Sequence, residues 1–296
     1  MTKPSVAYSE IVKVEKAVSN KTVDLIAVEE PLEIRIGYGL SGMRQQKSIS
    51  VTMRTPGNDF ELAIGFLFTE GIIKNIQSVS QIKYCTEANT IENLENIVRV
   101  ELNENIEIEF KKLERNFYTT SSCGVCGKAS IDAIHTVCEL RINNEELIIS
   151  RELIFSLPEK LRAQQSVFEH TGGIHASALF DLNGNLLLLR EDVGRHNALD
   201  KLIGASLGSI TSDSHRSNHL ELSIPLENHI LLLSGRASFE LIQKAAMAGI
   251  RIVCAIGAPS SLAVEIAKEF NITLIGFLRG EKFNIYSNPE RLKSSI

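Results

Sequence analysis

Two of the chain's five cysteines stand three positions apart in Ser121-Ser122-Cys123-Gly124-Val125-Cys126-Gly127-Lys128. The segment is polar and glycine-rich. Directly after it, apolar or small residues recur at Ala129, Ile131, Ala133, Ile134, Val137, Cys138 and Leu140, a helical period. The spacing predicts a loop running into a helix over 129–140, where unpaired N–H groups and the adjacent Lys128 favour thiolate over thiol. A thiol with pKa about 8.5 is a few per cent ionised at neutral pH, and lowering its pKa to about 7 makes it half ionised. Nucleophilicity falls with pKa, so only about a threefold rate gain survives, but the sulfur also becomes a better leaving group. A cysteine that accepts sulfur and then releases it gains on both steps.

Other readings of Cys123 and Cys126 stay open. A structural zinc needs four ligands, and no second CxxC exists. The available set would be Cys123, Cys126, His135 and Cys138, with the last two inside the helical pattern. A thioredoxin-type thiol–disulfide exchanger would need a βαβ context that the flanking residues lack. A regulatory module that binds a nucleotide or zinc without catalysis is the rival from another class. A sulfur-handling nucleophile leads, with no metal expected.

Composition narrows the class. The chain has 296 residues, 44% hydrophobic and 23% charged, enough for a full core and two domains. A net charge of −5 argues against nucleic acid as the main partner, because phosphate neutralisation needs a basic face. No apolar run approaches the ~18 residues of a membrane span. The first residues lack a signal-peptide apolar core. The expectation is a soluble, cytoplasmic protein.

The elements that must position the chemistry fall into two regions. Residues 1–20 read as a loosely held lead-in. Val23 to Arg54 reads as strands with a turn at Glu30-Pro31. Pro56-Gly57-Asn58-Asp59 then starts a helix running to Gly71. Residues 96–102 and 106–110 read as strands, so the first domain, 1–118, is α+β with a mostly antiparallel sheet. The second, 119–296, joins the cysteine loop to an α/β domain. Helices are expected over 129–140, about 151–166 and 196–207, and a hairpin turns at Asn183-Gly184. Strands at 229–234, 250–256 and 272–278 alternate with helices at 237–248 and 260–270, the pattern of parallel crossovers.

In such sheets ligands bind beyond the carboxyl ends of the strands. Ser234-Gly235-Arg236-Ala237-Ser238 and Gly257-Ala258-Pro259-Ser260-Ser261 turn from strand to helix, offering amides and a guanidinium to an anion. The last strand ends in Phe277-Leu278-Arg279-Gly280-Glu281-Lys282, two cations around a glycine. Each alone reads as a helix cap with surface charge. Three at one edge point to a phosphate-bearing ligand. Histidines 170, 175 and 196 lie beside glycines and form a second concentration of polar chemistry. The element order also occurs in zinc nucleoside deaminases, but their H-x-E is here His196-Asn197-Ala198 and their P-C-x-x-C is absent.

These motifs together resemble a known family, the formate dehydrogenase accessory sulfurtransferases. The similar stretches are residues 53–73, SSCGVCGKASI at 121–131, HTGGIHASALF at 170–180, REDVGRHNALDKLIG at 190–204, LSGRASFE at 233–240 and GFLRGEKFNIYS at 276–287. The resemblance implies a smaller α+β domain preceding a cytidine-deaminase-like three-layer α/β domain without catalytic zinc. It implies a cytoplasmic homodimer that takes sulfur from a cysteine desulfurase and delivers it to the molybdenum bis(molybdopterin guanine dinucleotide) cofactor of formate dehydrogenase. GDP-like nucleotides would mimic that ligand. By this resemblance Cys123 carries the persulfide with Cys126 as its helper, and Phe277 to Lys282 contact the cofactor.

Overall fold

The computed structural model describes residues 3–16, 18–85, 95–104, 106, 108, 147–208 and 224–293. Cys123, Cys126, the helix expected over 129–140 and most of the strand expected at 106–110 lie outside the described residues.

Three sheets are present among them. The first pairs β1 (Val6–Glu15) with β2 (Val18–Ala27) in a regular antiparallel hairpin. This corrects the expectation of a loose lead-in. Mixed charges hide β1 and the start of β2 in the sequence, because neither face of the hairpin enters the core, while the strand expected from Val23 is the second half of β2. Tyr8, Val12, Val14 and Val23 are exposed.

The second sheet has the order β4-β3-β6-β5, built from β3 (Glu30–Tyr38), β4 (Gln45–Arg54), β5 (Val79–Tyr84) and β6 (Ile97–Leu102). Only β3 and β6 run parallel. The turn expected at Glu30-Pro31 falls two residues earlier, and Pro31 sits inside β3 opposite Met53. Pro31 precedes the stretch of β3 that pairs with β6, which starts at Glu33, so its missing N–H costs that ladder nothing. After β4, Gly57 and Asn58 take positive φ and the chain enters α1 (Asp59–Thr69), buried on nearly every side.

The third sheet carries the strand ends of interest. Its order is β8-β7-β9-β10-β11-β12, from β7 (His175–Phe180), β8 (Leu186–Asp192), β9 (Ile230–Leu233), β10 (Ile252–Ala255), β11 (Thr273–Arg279) and β12 (Lys282–Ser287). Strands β9, β10 and β11 are parallel, as the crossovers require, and β7 runs antiparallel to both β8 and β9. Before the sheet come α2 (Arg151–Arg162) and α3 (Ser166–Thr171). Within it lie α4 (Arg195–Ser206), α5 (Phe239–Met247) and α6 (Ser261–Glu269). The continuous apolar runs of β9 and β10 follow from burial on both faces. Leu231, Leu233 and Val253 face one core, which continues through α4 and α1 to Leu32, Ile34 and Ile36 of the second sheet. Ile230, Leu232, Ile252 and Cys254 face the other, under Ile154, Leu157 and Leu161 of α2.

Helices α1 and α4 cross with their backbones touching. A Cβ on Gly65 would lie 1.8 Å from the Asp200 carbonyl oxygen, and one on Gly204 would lie 1.9 Å from that of Glu61. Beside this crossing, Lys244 of α5 reaches Asp200 at 3.0 Å and Glu70 at 3.1 Å, while Thr69 donates to Asp200 at 2.9 Å. The buried ammonium is paired on both sides, which burial of a charge demands.

Gly65→Ala forces the helices apart. Overpacking costs about 1–3 kcal/mol or more, and a backbone obstacle places this site at the upper end. At about 2–4 °C per kcal/mol, a fall in melting temperature of about 6 °C or more is expected. Gly173→Ala, where the nearest atom to the new Cβ is 3.7 Å away, should melt within about 2 °C of wild type. Equal melting of Gly65→Ala and wild type would contradict the crossing.

Candidate functional site

One edge of the six-stranded sheet collects the start of β7 and the carboxyl ends of β8, β9, β10 and β11. The loops leaving those ends are stitched to one another through their backbones. Ser234 donates its N–H to Ala176 O at 3.0 Å and accepts the Ala176 N–H on Oγ at 2.8 Å. Gly257 N–H donates to Gly235 O, Ala237 N–H to Ala258 O, and Phe277 N–H to Gly257 O, at 2.9, 3.1 and 3.1 Å. Gly257 permits this closeness, since a Cβ there would stand 2.9 Å from the Arg236 backbone.

The stitching changes the role of the strand-end turns. The amides of Ala237 and Ser260 are occupied by the neighbouring loop, and Ser260 Oγ caps α6 by accepting from Ala263 N–H at 3.3 Å. The turn at Gly257–Ser261 is thus a cap and a brace. The Ala237 and Ser260 amides are therefore not open to a ligand.

Residues Phe277 to Lys282 form the tip of the β11–β12 hairpin, with Arg279 opposite Lys282. The sequence reading took the strand at 272–278 as the last one and so missed β12. Leu278 is fully buried in the core beneath α2, whereas Phe277, Arg279, Gly280, Glu281 and Lys282 are exposed. Leu278 therefore anchors the segment rather than meeting a ligand. Phe277 has φ 55°, left-handed for a bulky residue, at a register shift between Gly276 and Arg279. Such backbone costs on the order of 1–3 kcal/mol and persists where the surroundings enforce it. The result presents an aromatic ring at 42% exposure beside two cations.

At the other end of the edge lies a clamp that sequence reasoning did not find. Asp192, fully buried, meets Lys201 Nζ at 2.6 Å and accepts the N–H groups of Thr55 at 3.1 Å and Gly194 at 2.8 Å. Lys201 also donates to Thr55 O at 2.8 Å, and Val193 N–H donates to Thr55 Oγ1 at 3.2 Å. Asn197 adds a bond from Nδ2 to Met53 O at 2.8 Å. Burial pushes the Asp192 carboxyl up while Lys201 pulls it back. The clamp locks the β4–α1 loop to the start of α4, so Asp192, Asn197 and Lys201 are structural.

Their neighbours are not committed to that clamp. His175 opens β7 against Gly235, whose added Cβ would lie 3.3 Å from His175 Nδ1. His196 Nε2 stands 3.4 Å from Ser238 Oγ and 3.8 Å from Glu240 Oε2. The His196 ring, with smaller help from the Glu240 N–H and Ser238, holds the Glu240 carboxyl down to about 2. Burial, Arg195 and His196 all push the His175 imidazole below its usual range. His170 lies apart from this group, in α3.

Comparison with known proteins follows the same stretches. A family model described as the FdhD/NarQ family matches residues 27–293. The chain is 46% identical over 285 residues to a protein of Streptomyces avermitilis named "Sulfur carrier protein FdhD", covering 95% of this chain and 94% of that one. A protein of the same name from Saccharolobus solfataricus is 44% identical over 283 residues, covering 96% of each chain. A solved structure from Desulfotalea psychrophila, named a formate dehydrogenase accessory protein, shares the fold. Its TM-score is 0.68 at 23% identity, covering 98% of this chain and 100% of that one.

The Glu240 carboxyl titrates lower in the folded chain than in the unfolded one. Its contribution to stability is therefore full above pH ~4.5 and lost as pH falls toward ~2. The stability difference between wild type and Glu240→Gln, from urea unfolding, should be larger at pH 6 than at pH 3.5. A difference independent of pH would show that the carboxylate does not engage His196.

Proposed function

The chain belongs to the FdhD/NarQ family, and from that premise we propose that it is a sulfur carrier that serves formate dehydrogenase. The observation that carries this reading is the identity of 44–46% with proteins named sulfur carriers over nearly the whole length of both partners. The Cys123–Cys126 segment supplies the chemistry and the carboxyl edge of the six-stranded sheet supplies the seat for a substrate.

In this reading a cysteine desulfurase presents a persulfide. The Cys123 thiolate attacks its terminal sulfur, the donor's S–S bond breaks, and the donor cysteine leaves as a thiolate. Cys123 then holds the sulfur as a persulfide, with no net change of electrons across the two proteins. Cys126, nearer the expected helix start, is the better leaving thiolate. Its thiolate takes the terminal sulfur from Cys123, and the Cys123 S–S bond breaks with Cys123 leaving as a thiolate. Cys126 then leaves in its turn when the sulfur is passed on. The acceptor is the molybdenum bis(molybdopterin guanine dinucleotide), handled as a substrate before it enters formate dehydrogenase.

Phe277, Arg279 and Lys282 fit the nucleotide end of that substrate. An exposed ring offers a stacking face, and the two cations offer charge-assisted contacts. A hairpin followed by three parallel strands, with helices against both faces, is consistent with a cytidine-deaminase-like arrangement. Cytoplasmic location and a homodimer complete the proposal. No helix among the described residues is long and apolar enough to cross a membrane.

The test loads wild type, Cys123→Ala and Cys126→Ala with a cysteine desulfurase and free cysteine, then locates the added sulfur by peptide mass spectrometry. Wild type should carry one reductant-labile sulfur on Cys123. Cys123→Ala should carry none and should fail to activate formate dehydrogenase, while Cys126→Ala keeps a remnant of activity. A labile sulfur and full activation in Cys123→Ala would contradict the assignment.

A further inference from the structure

Three side chains able to carry positive charge crowd the edge around β7 and β8, outside the Phe277–Lys282 hairpin. His175 starts β7, and Arg195 and His196 start α4. The acids beside them are already engaged, Asp192 with Lys201 at 2.6 Å and Glu240 with His196 at 3.8 Å. Arg195 is left over. Among the described residues its guanidinium makes no hydrogen bond or ion pair, and its Nε is buried without a partner. An unsatisfied buried donor is unfavourable, and native structures keep few of them without an acceptor from elsewhere.

The spacing of the strands along the edge suits one class of acceptor. Neighbouring strands lie about 4.8 Å apart, so β9 is about 10 Å and β7 about 14 Å from β11. That range matches the reach of a nucleotide from base to terminal phosphate. Arg236, exposed at the end of β9, stands between the two ends. A guanidinium with two imidazoles also offers more donors than one carboxylate would use, and forked contacts to phosphate oxygens suit Arg in particular.

We propose that Arg195, flanked by His175 and His196, is the diphosphate subsite for a nucleotide whose base rests at Phe277–Lys282, an inference that builds on the reading of the edge as the substrate seat. The nucleotide then lies across β11, β10 and β9 rather than outward into solvent. It brings its acceptor oxygens to the partly exposed Arg195 guanidinium, and Glu240 keeps His196 oriented toward it.

Isothermal titration of the full chain with GDP, guanosine and inorganic pyrophosphate tests this, using wild type, Arg195→Gln and Arg195→Lys. Arg195→Gln should weaken GDP by about ten- to a hundredfold and leave guanosine within about twofold. Arg195→Lys should fall between, because it keeps the charge and loses the fork. Matching melting temperatures separate this effect from misfolding; where Arg195→Gln does not fold, Arg195→Lys carries the comparison. GDP affinity equal to wild type in both variants would overturn the subsite while leaving the nucleotide reading intact. Pyrophosphate binding that depends on Arg195, without any binding of GDP, would uphold the subsite and defeat the nucleotide reading. Equal losses for guanosine and GDP would show a structural role and overturn the inference, as would wild type binding neither GDP nor pyrophosphate.

Discussion

The backbone contact between α1 and α4 at Gly65 and Gly204 is the constraint from which the rest of the architecture follows. With no side chain at either position, the helices approach closely enough for their carbonyl oxygens to set the separation. That crossing puts the four-stranded sheet and the six-stranded sheet on opposite sides of one helical layer and gives them a shared core. It also brings Thr69, Asp200 and Lys244 together in a dry site where each satisfies another. Just beyond it, Thr55 meets Asp192 and Lys201, so the loop after β4 and the start of α4 are held as one piece.

Rigidity at that point matters for the carboxyl edge. The start of α4 carries Arg195 and His196, and the clamp around Asp192 fixes where they stand. On the other side, the bonds among the loops after β9, β10 and β11 hold Arg236 and Phe277 in a fixed relation. Asp192 is spent on Lys201 and Glu240 on His196, while exposed Arg236 and Arg279 stand at the same edge with Glu281 as the exposed acid beside them. An overall acidic chain thus keeps a locally cationic seat, the electrostatic condition for holding an anionic substrate.

Much of this was legible in the sequence where pattern and burial agree. The apolar runs ILLL and IVCA, separated by amphipathic helices, gave the parallel crossovers, and Asn183-Gly184 gave the β7–β8 hairpin. The alternation of Ile97–Leu102 gave β6. What failed was set by context. Strand β5 carries Ser80, Gln81 and Lys83, and β1 with the start of β2 lacks a core face, so neither shows a clear period, although the strand read from Val23 is the second half of β2. Asp192, Lys201 and Lys244 drew no reading, because nothing local reveals that they are buried. Leu278 looked like part of a ligand segment until its burial under α2 was apparent. At the site, the strand ends and the histidines were visible, but their division into a structural clamp and an unpaired Arg195 depends on distances between elements far apart in the chain.

The central claim is that the carboxyl edge of the six-stranded sheet seats the nucleotide-bearing substrate of a sulfur carrier. A crystal structure of the full chain with GDP measures this most directly. The account predicts the nucleotide along that edge, its base against Phe277 and its phosphates within hydrogen-bond distance of Arg195. GDP bound elsewhere, against α2 or the β1–β2 hairpin, would contradict it.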